Sequence, residues 1–195
     1  ADVRAQCATL RSEVNRLRSI YDEHAGLQDR FLTAGIVTRE LATQLGLTGL
    51  AARASGSQRD LRVDFPCPPY DQIVVKAAME IRGDVAARVA VRFDETLESL
   101  RLIQTLVDDM PGGPVRADLS AHPEPGFGIG WVEGWRGDVL VALEADADGR
   151  LLRCHCHDPS WQNWPLLEHA VIGNIVPDFP LINKSFNLSY SGQDL

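Results

Sequence analysis

The sequence predicts a mainly helical α+β fold with one small antiparallel β-hairpin or sheet. Two long segments, residues 3–21 and 83–110, repeat apolar residues at the three- and four-residue spacing of an amphipathic helix. Closer to the other end, the dipeptide Asp148-Gly149 separates two strand-like runs, which is typical of a β-hairpin. Because the helical segments are longer than the strand-like runs, we expect helices to dominate the structure.

The first helix is predicted from a single apolar stripe. Its members follow one another at steps of four and three residues, which places them on one face: Val3, Cys7, Leu10, Val14, Leu17 and Tyr21. We expect this face to pack in a helical bundle. A second, short helix is predicted from Thr38, a suitable N-cap, to Leu45, with Gly46 ending it.

The segment 46–70 is predicted to be a long irregular loop because glycine and proline recur along it. These residues are Gly46, Gly49, Gly56, Pro66, Pro68 and Pro69. A loop of this length in a compact protein usually serves a function or packs on a partner.

Residues 83–110 form the longest predicted helix, which the run Pro111-Gly112-Gly113-Pro114 ends. Its predicted buried stripe consists of Val85, Val89, Phe93, Leu100, Ile103, Val107 and Met110. Beside it runs a polar stripe made of Arg88, Arg92, Glu95 and Ser99. We interpret the polar stripe as a solvent-exposed face, with an ion pair between Arg92 and Glu95 at i,i+3 spacing.

The rest of the chain is predicted to contain a connector, a hairpin and a last helix. The connector covers residues 111–130, the two strands cover 138–144 and 150–157, and the helix covers 163–175 with Pro165 in its first turn. We therefore expect a single unit. Its parts are a helical part at 1–110 that contains the 46–70 loop, a small β part at 126–160, and a C-terminal helix and tail at 161–195.

Composition narrows the function. The formal net charge of −8 and the pI near 5.1 argue against nucleic acid or an anionic membrane surface as a direct partner. We find no apolar run long enough to span a bilayer and no signal-peptide pattern. The four scattered cysteines do not form a disulfide framework, which favours the reducing cytoplasm. The chain begins at Ala1 without an initiator methionine, and we expect it to be a segment of a longer protein.

The run Cys154-His155-Cys156-His157 has the composition of a metal site but not its geometry. On a strand, the two cysteines face one side and the two histidines face the other. Neither face offers more than two ligands, whereas a closed zinc site needs four, so we predict no metal here. The sequence also contains no Gly-x-Ser-x-Gly elbow, P-loop or Gly-x-Gly-x-x-Gly fingerprint, so hydrolase, NTPase and Rossmann functions have no support.

Five further motifs occur in a fixed order and carry a family resemblance. They are Ala52-Arg53-Ala54-Ser55-Gly56; Arg59-Asp60-Leu61-Arg62 with Tyr70-Asp71; Gly83-Asp84 with Arg88, Arg92, Glu95 and Ser99; Pro111-Gly112-Gly113-Pro114; and Glu133-Gly134-Trp135-Arg136-Gly137. In this order and at this spacing, the chain resembles the C-terminal part of the large subunit of membrane-bound nickel–iron hydrogenases of the formate hydrogenlyase type. It equally resembles the homologous 49 kDa subunit of complex I, NADH:quinone oxidoreductase. The resemblance implies a hydrogenase-large-subunit-like helical fold.

The C-terminal tail departs from the hydrogenase pattern at both metal-binding positions. Hydrogenases of this kind end in Asp-Pro-Cys-x-x-Cys, and in register with that run this chain has residues 187–192. Ser189 and Gly192 stand at the cysteine positions. A serine hydroxyl is a hard ligand that stays protonated near neutral pH, and glycine offers no ligand. We therefore expect no ordinary nickel–iron centre and no metal bound by this segment.

The resemblance also implies which residues surround the cavity of the family. The candidates are Arg53, Ser55, Asp60, Glu133, Arg136 and Asn187. Arg136 matches the arginine that lies over the metal in hydrogenases, although Trp135 replaces the proline before it. Asn187 replaces an aspartate, which removes a charge and a proton acceptor. We expect the Arg53–Asp60 loop to lie toward the same interior, as a cavity wall or a proton path.

The resemblance implies a peripheral subunit of a membrane-associated oxidoreductase that takes part in NADH-linked or hydrogenase-like electron transport. Its expected partners are an iron–sulfur small subunit, whose clusters would supply electrons, and membrane subunits. The expected location is the cytoplasmic side of the inner face of the membrane, with quinone as a candidate acceptor in the full complex. This segment alone is expected to be inactive and to bind no cofactor. Two alternatives remain: a non-catalytic scaffold that holds an iron–sulfur partner, and a free-standing domain with an unrelated binding role.

The size and polarity of the cavity distinguish the two main functions. A redox subunit should keep a polar, partly open pocket lined by Arg136 and the Arg53 loop. A scaffold would have this pocket filled by side chains such as Trp135 and Tyr190.

Overall fold

The computed structural model of the protein describes residues 2–114, 116 and 125–193. The described chain is mainly helical and contains one small antiparallel sheet, which confirms the predicted fold class. The helices are α1 Val3–Glu23, α2 Ala25–Phe31, α3 Arg39–Gln44, α4 Gly49–Ala54, α5 Leu61–Asp64, α6 Val85–Asp108, α7 Ser160–Ala170, α8 Phe179–Phe186 and α9 Tyr190–Gln193. A 3₁₀ turn at Val176–Asp178 precedes α8, and the strands are β1 Gly126–Gly134, β2 Gly137–Ala145 and β3 Leu151–His157.

Helix α1 packs along α6, but only part of its predicted apolar stripe is buried. Cys7 is buried, whereas Leu10 and Leu17 are about half exposed. The face in contact is rotated toward Arg18, whose guanidinium lies 2.6 Å from the Asp94 carboxylate of α6. Polar contacts at this interface therefore take the place that part of the apolar stripe was expected to fill.

The polar stripe of α6 was interpreted as solvent-exposed, and this interpretation is wrong. The Arg88 side chain is fully buried. Its guanidinium donates to the carbonyls of Gly83 (2.7 Å) and Gly35 (2.9 Å) and to Ser185 Oγ (2.8 Å), and it lies 4.2 Å from the Phe186 ring centroid. Burial lowers the pKa of Arg88 to about 9. This arginine holds three segments together because each carbonyl would otherwise be buried without a donor.

The predicted loop at 46–70 contains two short helices, α4 and α5. Glycine is required at the start of α4 for close approach rather than for irregularity. Gly49 has φ +66°, and a Cβ atom there would lie well inside van der Waals contact with the Arg136 carbonyl. Asp60 begins α5 by accepting the Arg62 backbone N–H at 3.0 Å.

The sheet has the strand order β1-β2-β3 with antiparallel pairing throughout. The predicted hairpin is confirmed as β2 and β3, with Gly149 at φ +76° in the turn. Strand β1 begins inside the predicted connector because its alternate residues from Gly126 to Gly130 are glycines, which conceal the strand pattern. The predicted alternation on β3 is also confirmed, since the cysteine sulfurs share one face and both histidines approach Trp161 from the other.

The last predicted helix is shifted toward the N-terminus. Helix α7 begins at Ser160 and ends at Ala170, so Pro165 lies inside it rather than in its first turn. The Asp158 carboxylate accepts the Ser160 backbone N–H at 2.8 Å, which provides an earlier start signal than the one we used. Across the described residues, no helix is long and apolar enough to cross a membrane.

Candidate functional site

Three buried charged side chains from different elements meet at Arg53. Arg53 is on α4, Glu95 is on α6, and Glu133 is near the end of β1. The Arg53 Nε atom donates to the Glu95 carboxylate, and Nη1 donates to Glu133 Oε1 at 2.8 Å and to the Arg59 carbonyl at 3.0 Å. The side chains are 1%, 9% and 4% exposed, in the order Arg53, Glu95 and Glu133. A single guanidinium therefore serves two carboxylates away from water.

Electrostatics at this cluster are unequal. Burial disfavours the charged guanidinium, but the charges and hydrogen bonds of Glu95 and Glu133 outweigh it and raise the pKa of Arg53. Burial also raises the pKa of the Glu133 carboxyl, although Arg53 and the Leu61 N–H oppose the shift. One positive charge between two carboxylates leaves a net negative charge, so Glu133 holds a proton more readily than an exposed glutamate does.

A second ion pair lies beside the first. Arg62 donates through Nη2 to Asp60 Oδ2 at 2.6 Å and through Nε to Asp60 Oδ1 at 2.9 Å. Burial acts to raise the pKa of Asp60, but the hydrogen bonds and charge of Arg62 outweigh it and lower that pKa. Asp60 is thus held ionised and locks the loop that carries Arg62.

The two ion pairs border a cavity of about 140 Å³. Its walls are formed by Arg53, Arg62, Glu95, Ser99, Glu133, Gly134 and Trp135. Trp135 is 43% exposed, and its ring centroid lies 5.8 Å from the Arg92 guanidinium carbon. The cavity is polar, partly open and large enough for a few water molecules. Charged groups that face a small hydrated space are suited to holding and passing protons.

The other predicted cavity residues lie elsewhere. Arg136 donates through Nε to the Asn187 carbonyl, and its own carbonyl accepts from Asn163 Nδ2 at 3.1 Å. Arg136 therefore joins the β1–β2 turn to the tail. Asn187 ends α8 in the left-handed conformation, with φ +55°. Ser55 donates to the Ala51 carbonyl at 3.0 Å and borders a separate pocket of about 350 Å³ beside Arg39.

Sequence reasoning missed four cavity residues: Arg62, Glu95, Ser99 and Trp135. Glu95 and Ser99 were assigned to a solvent-exposed stripe. The signal that could have identified them was the stripe itself, because four polar residues at helical spacing next to a buried apolar stripe can also line an internal polar seam. Trp135 was considered only as a plug, whereas it stands at the mouth of the cavity.

The tail residues at the hydrogenase cysteine positions have structural contacts. Ser189 Oγ accepts the Gly192 backbone N–H at 3.0 Å, as an N-terminal cap of α9 does, and the Ser189 N–H donates to Ser160 Oγ at 2.9 Å. Gly192 is buried, and a Cβ atom there would lie 2.6 Å from Asp158 Cγ. Neither position supplies a thiolate, so these residues do not fit a nickel–iron centre. Within the described ranges, no three His, Cys, Asp or Glu side chains are grouped as metal ligands.

The fold is that of a protein from a respiratory membrane complex. A chain in the structure of the membrane-bound sulfane sulfur reductase, an archaeal respiratory membrane complex, matches 99% of this chain with a TM-score of 0.91 and 25% sequence identity. This chain corresponds to 54% of that one.

Curated relatives narrow the class. Formate hydrogenlyase subunit 5 of Escherichia coli (strain K12) is 31% identical over 185 residues, which is 95% of this chain and 32% of the relative. An NADH-quinone oxidoreductase subunit from Syntrophobacter fumaroxidans is 33% identical over 188 residues, with 91% and 50% covered. The carbon monoxide-induced hydrogenase of Rhodospirillum rubrum is 31% identical over 179 residues, with 92% and 49% covered. The chain thus spans about a third to a half of these relatives.

The profile of one family matches residues 1–125 of the chain, and the chain belongs to that family, the respiratory-chain NADH dehydrogenase, 49 Kd subunit. This match confirms the resemblance drawn from the five motifs.

Proposed function

We propose that the protein is a peripheral subunit of a membrane-associated oxidoreductase of the hydrogenase or complex I type, in which it takes part in electron transfer without a nickel–iron centre. Family membership supports the class of complex, because the relatives are named as hydrogenase, formate hydrogenlyase and NADH-quinone oxidoreductase proteins. The observation that carries the redox role is the polar, partly open cavity at Arg53.

The expected setting is the cytoplasmic side of the inner face of the membrane. There an iron–sulfur small subunit would deliver electrons, and membrane subunits would anchor the assembly. Quinone is the acceptor we favour, and an NADH-linked donor is the corresponding proposal at the other end of the electron path. Reduction of a quinone consumes protons, so such a subunit needs groups that hold protons near neutral pH.

Glu133 has the properties of such a group. Burial raises its pKa, and it shares Arg53 with Glu95 at the wall of the cavity. The neighbouring Arg62–Asp60 pair keeps the opposite wall charged. In this proposal Glu133 takes up and releases a proton at Oε1 or Oε2, while Arg53 keeps the second carboxylate ionised.

The scaffold alternative has less support because neither of its expected plugs fills the cavity. Tyr190 packs on Trp164, with ring centroids 5.1 Å apart, and accepts from Asn183 Nδ2 at 2.9 Å. Trp135 borders the cavity without closing it.

The test uses the full-length protein purified with its native partners. We expect nickel at background level and quinone-dependent electron transfer that falls at least tenfold in Glu133→Gln, with the composition of the complex unchanged. Glu13→Gln, at an exposed pair on α1, serves as the matched control and should keep full activity. Full activity of an assembled Glu133→Gln complex would favour the scaffold, and about one nickel per complex would overturn the proposal.

A further inference from the structure

Two cysteines lie side by side on an exposed strand, away from the Arg53 cavity. Cys154 and Cys156 are on β3, which pairs only with β2 in the described sheet. Their Sγ atoms are 3.8 Å apart on one face, opposite Leu143 and Val141 of β2. The face is open, because both thiols are exposed and carry no bond to another chain segment.

The separation of the sulfurs matches one class of ligand. Two thiolates at about 2.3 Å from a tetrahedral zinc ion stand about 3.8 Å apart. A disulfide would require the sulfurs to approach to about 2.05 Å, and the two Cα atoms are separated by two residues of extended strand, about 6.7 Å, close to the upper limit for a disulfide. Metal binding thus needs no rearrangement of the strand, whereas disulfide formation needs one.

We propose that Cys154 and Cys156 form a two-thiolate site for a thiophilic divalent cation of the zinc class. The neighbouring histidines do not complete it, because His155 and His157 lie on the opposite face, with ring centroids 6.0 and 5.3 Å from that of Trp161. Two of the four positions on the metal are therefore filled from outside the described chain, by water or by donor atoms of another molecule. Such an open site differs from the closed four-ligand site that the sequence argued against, and it is independent of the proposed redox function.

The test is a titration with Co²⁺, a spectroscopic substitute for zinc, of the full-length protein in its complex. We expect one equivalent to bind with a thiolate-to-cobalt charge-transfer band that zinc removes. Cys154→Ser and Cys156→Ser should each lose this band and weaken binding of that equivalent by roughly 100-fold or more. Cys67→Ser is the matched control, because Cys67 is also exposed but has no second cysteine beside it.

Four outcomes would overturn the proposal. These are no cobalt–thiolate band in the unaltered protein, the same stoichiometry in all four proteins, an equal loss in Cys67→Ser, or loss in only one of the two β3 variants. Because both β3 thiols are exposed, their replacement by serine should not disturb folding, and circular dichroism of each variant checks this.

Discussion

Replacement of Arg53 by methionine tests whether the buried charge cluster is organised by a single guanidinium. Methionine keeps much of the length of the side chain but leaves the Glu95 and Glu133 carboxylates without their shared partner. Removing one partner from a buried ion pair costs about 3–5 kcal/mol, because the remaining charge stays buried and unpaired. Both carboxylates are less than a tenth exposed, so we expect a loss in this range. Urea unfolding of the full-length protein measures the loss as a change in the free energy of unfolding.

Two further variants make the test specific. Arg16→Met breaks an exposed ion pair with Glu13 of similar separation, 3.0 Å, and should cost less than about 1 kcal/mol. Neutralising both acids of the cluster in the Arg53→Met background, as Glu95→Gln and Glu133→Gln, should recover part of the loss. If Arg53→Met costs no more than Arg16→Met, or if the neutral triple variant recovers nothing, the shared-guanidinium account is incorrect.

Three other predictions concern single contacts. Because the pKa of Glu133 is raised in the folded state, its contribution to stability is present below pH 4.5 and is lost as pH rises through that raised pKa; wild type should therefore lose unfolding free energy relative to Glu133→Gln over this window, and a constant difference would contradict the shift. Gly49→Ala should lower stability by about 1–3 kcal/mol in urea unfolding, because Gly49 has φ +66° and any Cβ would meet the Arg136 carbonyl, whereas Gly46→Ala, at a similar φ but in open space, should cost less. Gly192→Ala should cost a similar 1–3 kcal/mol, roughly, through its clash with Asp158, and equal melting temperatures of this variant and wild type would show that the tail adjusts freely.

Local patterns in the sequence were sufficient for much of the architecture. The run at 83–110 predicted α6 to within two residues at each end, because Asp84 accepts the Ala87 N–H as an N-cap and proline and glycine follow the last turn. The Asp148-Gly149 turn predicted the β2–β3 hairpin for a similar reason, since turn geometry depends on neighbouring residues alone. The family also followed from sequence, because the order and spacing of several motifs identify a fold without knowledge of contacts.

Only the tertiary structure decided what the polar residues do. Arg88 and Glu95 share one polar stripe on α6, yet Arg88 braces backbone carbonyls and Glu95 meets an arginine from α4 that lies 42 residues away in the chain. Arg136 and Glu133 belong to one motif, but one braces the tail and the other borders the cavity. Helical periodicity shows which residues share a face, and it carries no information on which face a distant element will cover. The charge partners at Arg53 therefore depend on contacts between α4, α6 and β1 that form only when the chain is folded.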